Sequence, residues 1–196
     1  MARRNKNGNG FEDTLEIRFT GSGGQGLLLA ATIYAYASVV FDGKNAVQTT
    51  VYGSQSRGGE SKSDVVISKG EIDHPKALNL DLLLALTQLA CDNNVHHIKE
   101  EKGILVVDSE LVDPVTNITN FYSLPLTQIA REVGNVIVVN IVSLGALSVL
   151  APHIVTPNAL LESIKTKVPK KFLDLNIRAF NEGAKSAAKI KQAKDN

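Results

Sequence analysis

The sequence predicts an α/β fold, a three-layer α/β/α sandwich around a Rossmann-like, mainly parallel sheet, in a single domain. Three observations carry that expectation. Strand-length runs alternate with segments of helical spacing along the chain, the pattern of a parallel sheet with helical crossovers. Leu80 to Leu86 is a mostly apolar run of strand length, suited to a strand covered on both faces. Leu15 to Thr20 reads as a strand and leads into Gly21-Ser22-Gly23-Gly24-Gln25-Gly26, a glycine-rich strand-to-helix turn.

The other elements follow in order. Residues 1–13 are glycine, asparagine and charge without periodicity, and read as a disordered tail. Leu27 to Phe41 is an alanine-rich helix stopped at Asp42-Gly43. It is apolar on most faces, so it is expected to be buried. Ala46 to Tyr52 is β-branched and reads as a second strand; Ser63 to Ser68 is a third. Thr87 to Lys99 has helical spacing, and Ile104 to Val107 is a short buried strand. Asn117 to Tyr122 is expected as an edge strand, and Pro125 to Glu132 as a helix with proline at its first position. Val136 to Val139 looks strand-like and Ser143 to Leu150 helical. Thr156-Pro157 caps a helix running to about Val168. A last helix covers Leu173 to about Lys191. The predicted domain is 14–192, with residues 193–196 a frayed tail.

The 196 residues suffice for one such domain with a real core. The net charge of +1 gives no electrostatic case for nucleic acid or an anionic membrane. No apolar stretch reaches the roughly 18 residues of a membrane span. The polar start is no secretory signal, so a cytoplasmic location is expected. Cys91 is the only cysteine, which excludes an internal disulfide and any cysteine-ligated cluster or zinc site held by this chain alone.

Positions 21, 23 and 26 spell G-x-G-x-x-G between a strand and a helix. Glycine serves where the chain turns sharply or where a Cβ would block close approach. The free N–H groups opening the next helix attract anions. A dinucleotide site would also want an acid at the end of the second strand, and that strand ends in Val51-Tyr52. Asp42 has the right distance in sequence but precedes the strand. No Gly-Lys-Ser/Thr follows the loop, so the Walker pattern fails as well. The plain alternative is that these glycines only let a buried helix pack tightly on the sheet.

A second polar loop changes the balance. Tyr52-Gly53-Ser54-Gln55-Ser56-Arg57-Gly58-Gly59-Glu60-Ser61 follows the second strand. In a parallel sheet, loops after strands one and two emerge at the same edge, where ligands bind. Arg57 beside bare backbone N–H groups suits a phosphate or carboxylate. Its plain alternative is a surface ion pair with Glu60.

On these residues a family resemblance appears. Gly21 to Gly26, then Tyr52-Gly53, Arg57-Gly58-Gly59 and Ser61, resemble the gamma subunit of 2-oxoacid:ferredoxin oxidoreductases. Further matches are Asp81 to Leu86, Asn140 to Leu147 and Asn176 to Gly183, so the resemblance spans roughly residues 15–188. Asp42 to Thr49, with Ala90-Cys91-Asp92, look most like the 2-oxoglutarate branch. The resemblance implies a multisubunit enzyme that decarboxylates a 2-oxoacid oxidatively with coenzyme A (CoA), giving acyl-CoA, carbon dioxide and reduced ferredoxin. It implies alpha, beta and delta partner subunits that hold thiamine diphosphate, Mg and iron–sulfur clusters. For this chain it implies CoA binding and packing against the thiamine-bearing subunits. The residues expected at the cofactor are Gly21, Ser22, Gly23, Gly24, Gln25, Gly26, Tyr52, Gly53, Arg57, Gly58, Gly59 and Ser61. The alternatives are a stand-alone nucleotide-binding reductase and an indolepyruvate-type oxidoreductase subunit.

No catalytic or metal-binding residue is expected. His74, His96, His97 and His153 are scattered in the sequence, and Cys91 reads as a small buried hydrophobe. Asp108-Ser109 ends a strand, where turn chemistry is as good a reading as a site. No nucleophile–base–orienter set stands out, which suits a chain that positions a cofactor rather than reacting with it.

Overall fold

The computed structural model describes residues 14–52 and 60–195. Among these residues six strands form one sheet: β1 (Leu15–Ser22), β2 (Asn45–Tyr52), β3 (Glu60–Ser68), β4 (Leu82–Ala85), β5 (Ile104–Asp108) and β6 (Asn120–Leu124). Their lateral order is β2-β3-β1-β4-β5-β6. From β1 through β6 the ladders are parallel, whereas β3 runs antiparallel to both β1 and β2. The α/β expectation holds, with one correction to its reasoning. β1 and β2 do end at the same edge, but as the two neighbours of an antiparallel β3, and β2–β3 is a hairpin.

Among the described residues six helices accompany the sheet: α1 (Leu27–Val40), α2 (Gln88–Asn94), α3 (Leu126–Val133), α4 (Val139–Leu150), α5 (Pro157–Lys167) and α6 (Leu173–Asp195). The two faces are unequal. Ile17, Phe19, Leu82, Leu84 and Val106 join α1, α3, α4, α5 and α6 in one large core. Leu83, Ala85, Leu105 and Val107 point to the other face, where Cys91 of α2, Leu80 and Ile98 form a smaller core. Of the strands sandwiched between, β4 is apolar at every position and β5 at every position before Asp108, as their buried sequences anticipate.

Several expected elements shift. Val136 to Val139 is not a strand: residues 136–138 form a 3-10 turn, opened by the Asn135 side chain accepting the Ile137 N–H. The run then becomes α4, every residue of which except Val149 is buried. A helix enclosed on all sides shows no period in its polarity, so a β-branched stretch at its start looks like a strand. The expectation that α1 is buried fails on one flank, where Leu28, Leu29, Val39 and Val40 are exposed. Pro125 is the N-cap of α3 rather than its first residue, and the strand expected at 117–122 runs from Asn120 to Leu124. The helix expected from Thr87 to Lys99 is shorter, continuing past Asn94 as a 3-10 turn. Thr156 caps α5 as expected, accepting the Ala159 N–H at 3.3 Å.

The longest helix is seated by two glycines. A Cβ on Gly145 of α4 would collide with the Phe180 carbonyl of α6, and a Cβ on Gly183 of α6 would collide with the Val142 carbonyl of α4. The two backbones touch, so both positions require glycine for a steric reason. Among the described residues no helix is long and apolar enough to cross a membrane.

Candidate functional site

The glycine turn lies where β1 ends and α1 begins. Gly21 and Ser22 are the last residues of β1, later than expected, and Gly23 to Gln25 make the turn. Gly26 is the N-cap of α1 with φ 72°, a left-handed conformation that glycine adopts without steric cost. No side chain caps this helix end, and the first backbone bond back to Gly26 comes from Ala30 at 3.0 Å. The N–H groups of Leu27 to Leu29 therefore lack helical partners, which leaves donors for an anion.

The three glycines of the G-x-G-x-x-G pattern divide into two kinds. The space a Cβ on Gly21 would take belongs to the Gln25 carboxamide. That group folds back to accept the Ser22 N–H at 2.7 Å and donates to the Leu86 carbonyl at 3.3 Å. A Cβ on Gly26 would stand 2.6 Å from Asn140 Nδ2, which donates to the Gly26 carbonyl at 3.1 Å. Two of the three are thus filled from within the chain. Gly23, together with Gly24 at φ 94°, faces open space. The part of the turn a ligand or partner can approach is Gly23-Gly24, rather than the whole motif.

β3 ties the second loop to the first. Ser61 pairs across with Gly21 on one side and with Tyr52 on the other, and Glu60 pairs with Ser22. Gly53, Arg57, Gly58 and Gly59 lie outside the described residues; the strands that carry them end at the glycine turn. Tyr52, Ser61, Gly21 and Ser22 are therefore neighbours along one edge, as the two-loop reading expects.

Beneath this edge runs a buried polar chain that the sequence reading missed. Arg18, 4% exposed, is bidentate to Asp64 at 2.7 and 2.8 Å and also donates to Asn94 Oδ1 and the Ala77 carbonyl. Asn94 passes the chain to Glu60 at 2.6 Å, and Thr20 and Asn93 donate to the same carboxylate. Burial raises the Glu60 pKa, but the donors from Asn93, Asn94 and Thr20 and the Lys62 charge outweigh it, leaving the group below its ordinary value. Glu60 is thereby engaged at the root of the second loop by two amides and one hydroxyl. A signal was available: Arg18 and Thr20 alternate with Ile17 and Phe19 in a strand covered on both faces, so polar side chains there must find buried partners.

The other sequence candidates resolve structurally. Asp108 is fully buried; its carboxylate accepts the backbone N–H and hydroxyl of Thr127 at the start of α3 and the N–H of Glu110. Asp42 accepts the N–H and hydroxyl of Thr156, joining the end of α1 to the start of α5. His96 and His97 lie with ring centroids 4.1 Å apart. Burial, then the neighbouring charges of His96, Arg18 and Lys62, lower the His97 pKa. Burial and nearby Asp92 push the Cys91 thiol up to about 11. Among the described residues no group of three His, Cys, Asp or Glu side chains could hold a metal ion.

Comparison with known proteins assigns the fold. Residues 16–186 match the pyruvate ferredoxin/flavodoxin oxidoreductase family. The chain belongs to that family. A relative in the family, the 2-oxoglutarate synthase subunit KorC of Methanocaldococcus jannaschii, is 43% identical over 180 residues, covering 89% of this chain and 95% of its own. The gamma subunit of a keto/oxoacid ferredoxin oxidoreductase from Geobacter sulfurreducens superposes with a TM-score of 0.80 at 42% identity, covering 90% of this chain and 98% of that one. The 2-oxoglutarate:ferredoxin oxidoreductase of Magnetococcus marinus, solved with 2-oxoglutarate, coenzyme A and succinyl-CoA bound, gives a TM-score of 0.78 at 25% identity. The match covers 89% of this chain but 31% of that one, so the same domain occurs both alone and within a longer chain of the family. The resemblance seen in the glycine and arginine loops is thus borne out at the level of family and fold.

Proposed function

We propose that this chain is the gamma subunit of a 2-oxoglutarate:ferredoxin oxidoreductase, and that its glycine-turn edge supplies part of the CoA site. The observation that carries the enzyme reading is the near full-length match to a KorC subunit at 43% identity. The partners on this reading are the alpha, beta and delta subunits, which would bear thiamine diphosphate, Mg and the iron–sulfur clusters, with ferredoxin as acceptor. A single, buried cysteine suits a chain that leaves cluster ligation to others.

The local geometry supports the CoA role in part. The open Gly23-Gly24 turn and the uncapped N–H groups of α1 offer donors to a phosphate or pyrophosphate. Arg57, on the loop rooted at Glu60 and Tyr52, would add a charge-assisted contact. CoA would then supply the acceptor thiol, while this chain's residues hold and orient its anionic end. The Gly21 and Gly26 positions, occupied by Gln25 and Asn140, would shape the turn without touching the ligand.

The test uses the assembled complex. Arg57→Ala is expected to weaken acyl-CoA formation by removing about 1.5–3 kcal/mol of contact, roughly ten- to a hundredfold, with 2-oxoacid decarboxylation largely retained. Equal loss of both half-reactions would assign Arg57 to assembly instead. Purification from native cells should bring larger thiamine- and cluster-bearing subunits; a lone chain in native extract would defeat the enzyme reading itself.

A further inference from the structure

The two edges of the sheet are finished differently. A strand edge presents a row of N–H and C=O groups that will pair with another chain unless it is blunted. β6 is blunted: Lys194 of α6 reaches across and donates to the Thr119 and Phe121 carbonyls at 2.6 and 3.4 Å. β2 has no such guard among the described residues. Its eight residues, Asn-Ala-Val-Gln-Thr-Thr-Val-Tyr, include no charge, no proline and no glycine. Val51 is 57% exposed.

The flank of α1 beside this edge is equally bare. Gln48 of β2 donates to the Leu28 carbonyl and bonds the Thr32 hydroxyl at 3.1 Å, so the Leu28–Thr32 side of the helix overhangs the edge strand. The stripe continues at helical spacing to Val39, and Leu28 and Val39 are 43% and 44% exposed. α1 holds no charged residue over its 14 positions. Asp42 and Lys44, which join the helix to the strand, are turned inward to Thr156 and Ile154.

We infer that this surface joins a second copy of the same chain: β2 pairs antiparallel with β2 of the copy about a two-fold axis, and the two α1 flanks meet above the strands. The argument for a copy is charge. A two-fold contact brings each surface against itself, so any charge near the axis meets its like. Here every antiparallel register of β2 against itself faces uncharged residue with uncharged residue. An axis perpendicular to the sheet also keeps both α1 helices on the same face, so their apolar stripes are covered together. The inference does not depend on the enzyme reading, since it concerns the chain alone.

The test is the full chain in solution. Light scattering should give twice the 21.0 kDa chain mass, and Thr49→Lys, a charge placed on the edge, should halve it with an unchanged circular dichroism spectrum. Facing residues near the axis lie within disulfide reach. Gln48→Cys or Thr49→Cys should therefore give a covalent dimer on mild oxidation, with Cys91 buried and silent. A folded wild-type monomer at tens of micromolar would overturn the inference. So would a dimer that survives Thr49→Lys and forms no cross-link from either cysteine. A monomer whose Thr49→Lys variant loses co-purifying subunits would assign the edge to a different chain, and would overturn it too.

Discussion

Two sets of glycines in this chain do opposite things. At the α4–α6 crossing, Gly145 and Gly183 let two backbones touch, and a Cβ at either would strike a carbonyl of the facing helix. In the turn after β1, a Cβ on Gly23 or Gly24 would meet only open space. Gly21 and Gly26 stand between these extremes, their space filled by the side chains of Gln25 and Asn140. Glycine patterning alone therefore does not separate a binding loop from a packing seam. What separates them is the neighbour: backbone means architecture, a movable side chain means a shaped turn, and open space means an available site.

That contrast can be broken by substitution, and the expected effects fall in a clear order. Gly145→Ala and Gly183→Ala should cost the most. Each gains about 1 kcal/mol of helix propensity, but forcing the backbones apart should cost about 3 kcal/mol or more, leaving a net loss of about 2 kcal/mol or more. Urea unfolding measures it; a variant as stable as wild type would show that the helices are not in contact. Gly26→Ala comes next, at about 1–2 kcal/mol, because its left-handed φ strains any other residue and because Asn140 must move. Pairing it with Asn140→Ala should recover the clash and not the backbone strain. Gly21→Ala should cost about 1 kcal/mol or less, since the Gln25 side chain can swing away. Gly23→Ala should change stability by no more than about 0.5 kcal/mol while weakening CoA-dependent turnover of the complex. If Gly23→Ala unfolds the chain or leaves turnover untouched, the open half of the turn is not a site.

The smallest effect concerns Glu60. Its pKa is held below the ordinary carboxylate value in the folded chain. Its contribution to stability is therefore present above the unfolded value and fades as pH falls through the lower folded one. Side-chain carbonyl chemical shifts should show this carboxyl titrating below a free glutamate; a midpoint at or above the free value would mean that the Asn93, Asn94 and Thr20 donors are not made.

The strands and the turn were legible in the sequence because their signals are local. β-branched runs, a proline after a threonine cap and glycines between a strand and a helix all act over a few residues. The resemblance in the two loops also located the family. What escaped was non-local. Val136 to Val139 resembles a strand until the 3-10 turn and the buried helix it leads into are known. α1 resembles a buried helix by composition, and only packing reveals its exposed flank. The Asp64–Arg18–Asn94–Glu60 chain joins residues up to 76 positions apart, so its pairings lie beyond the reach of any spacing rule.

One feature bears on the chemistry the complex is proposed to perform. A thioester product is open to any thiolate nearby, which could take the acyl group by exchange. The sole thiol of this chain, Cys91, is 1% exposed, and its pKa of about 11 keeps it protonated at neutral pH. A gamma subunit built this way offers the acyl group no competing acceptor.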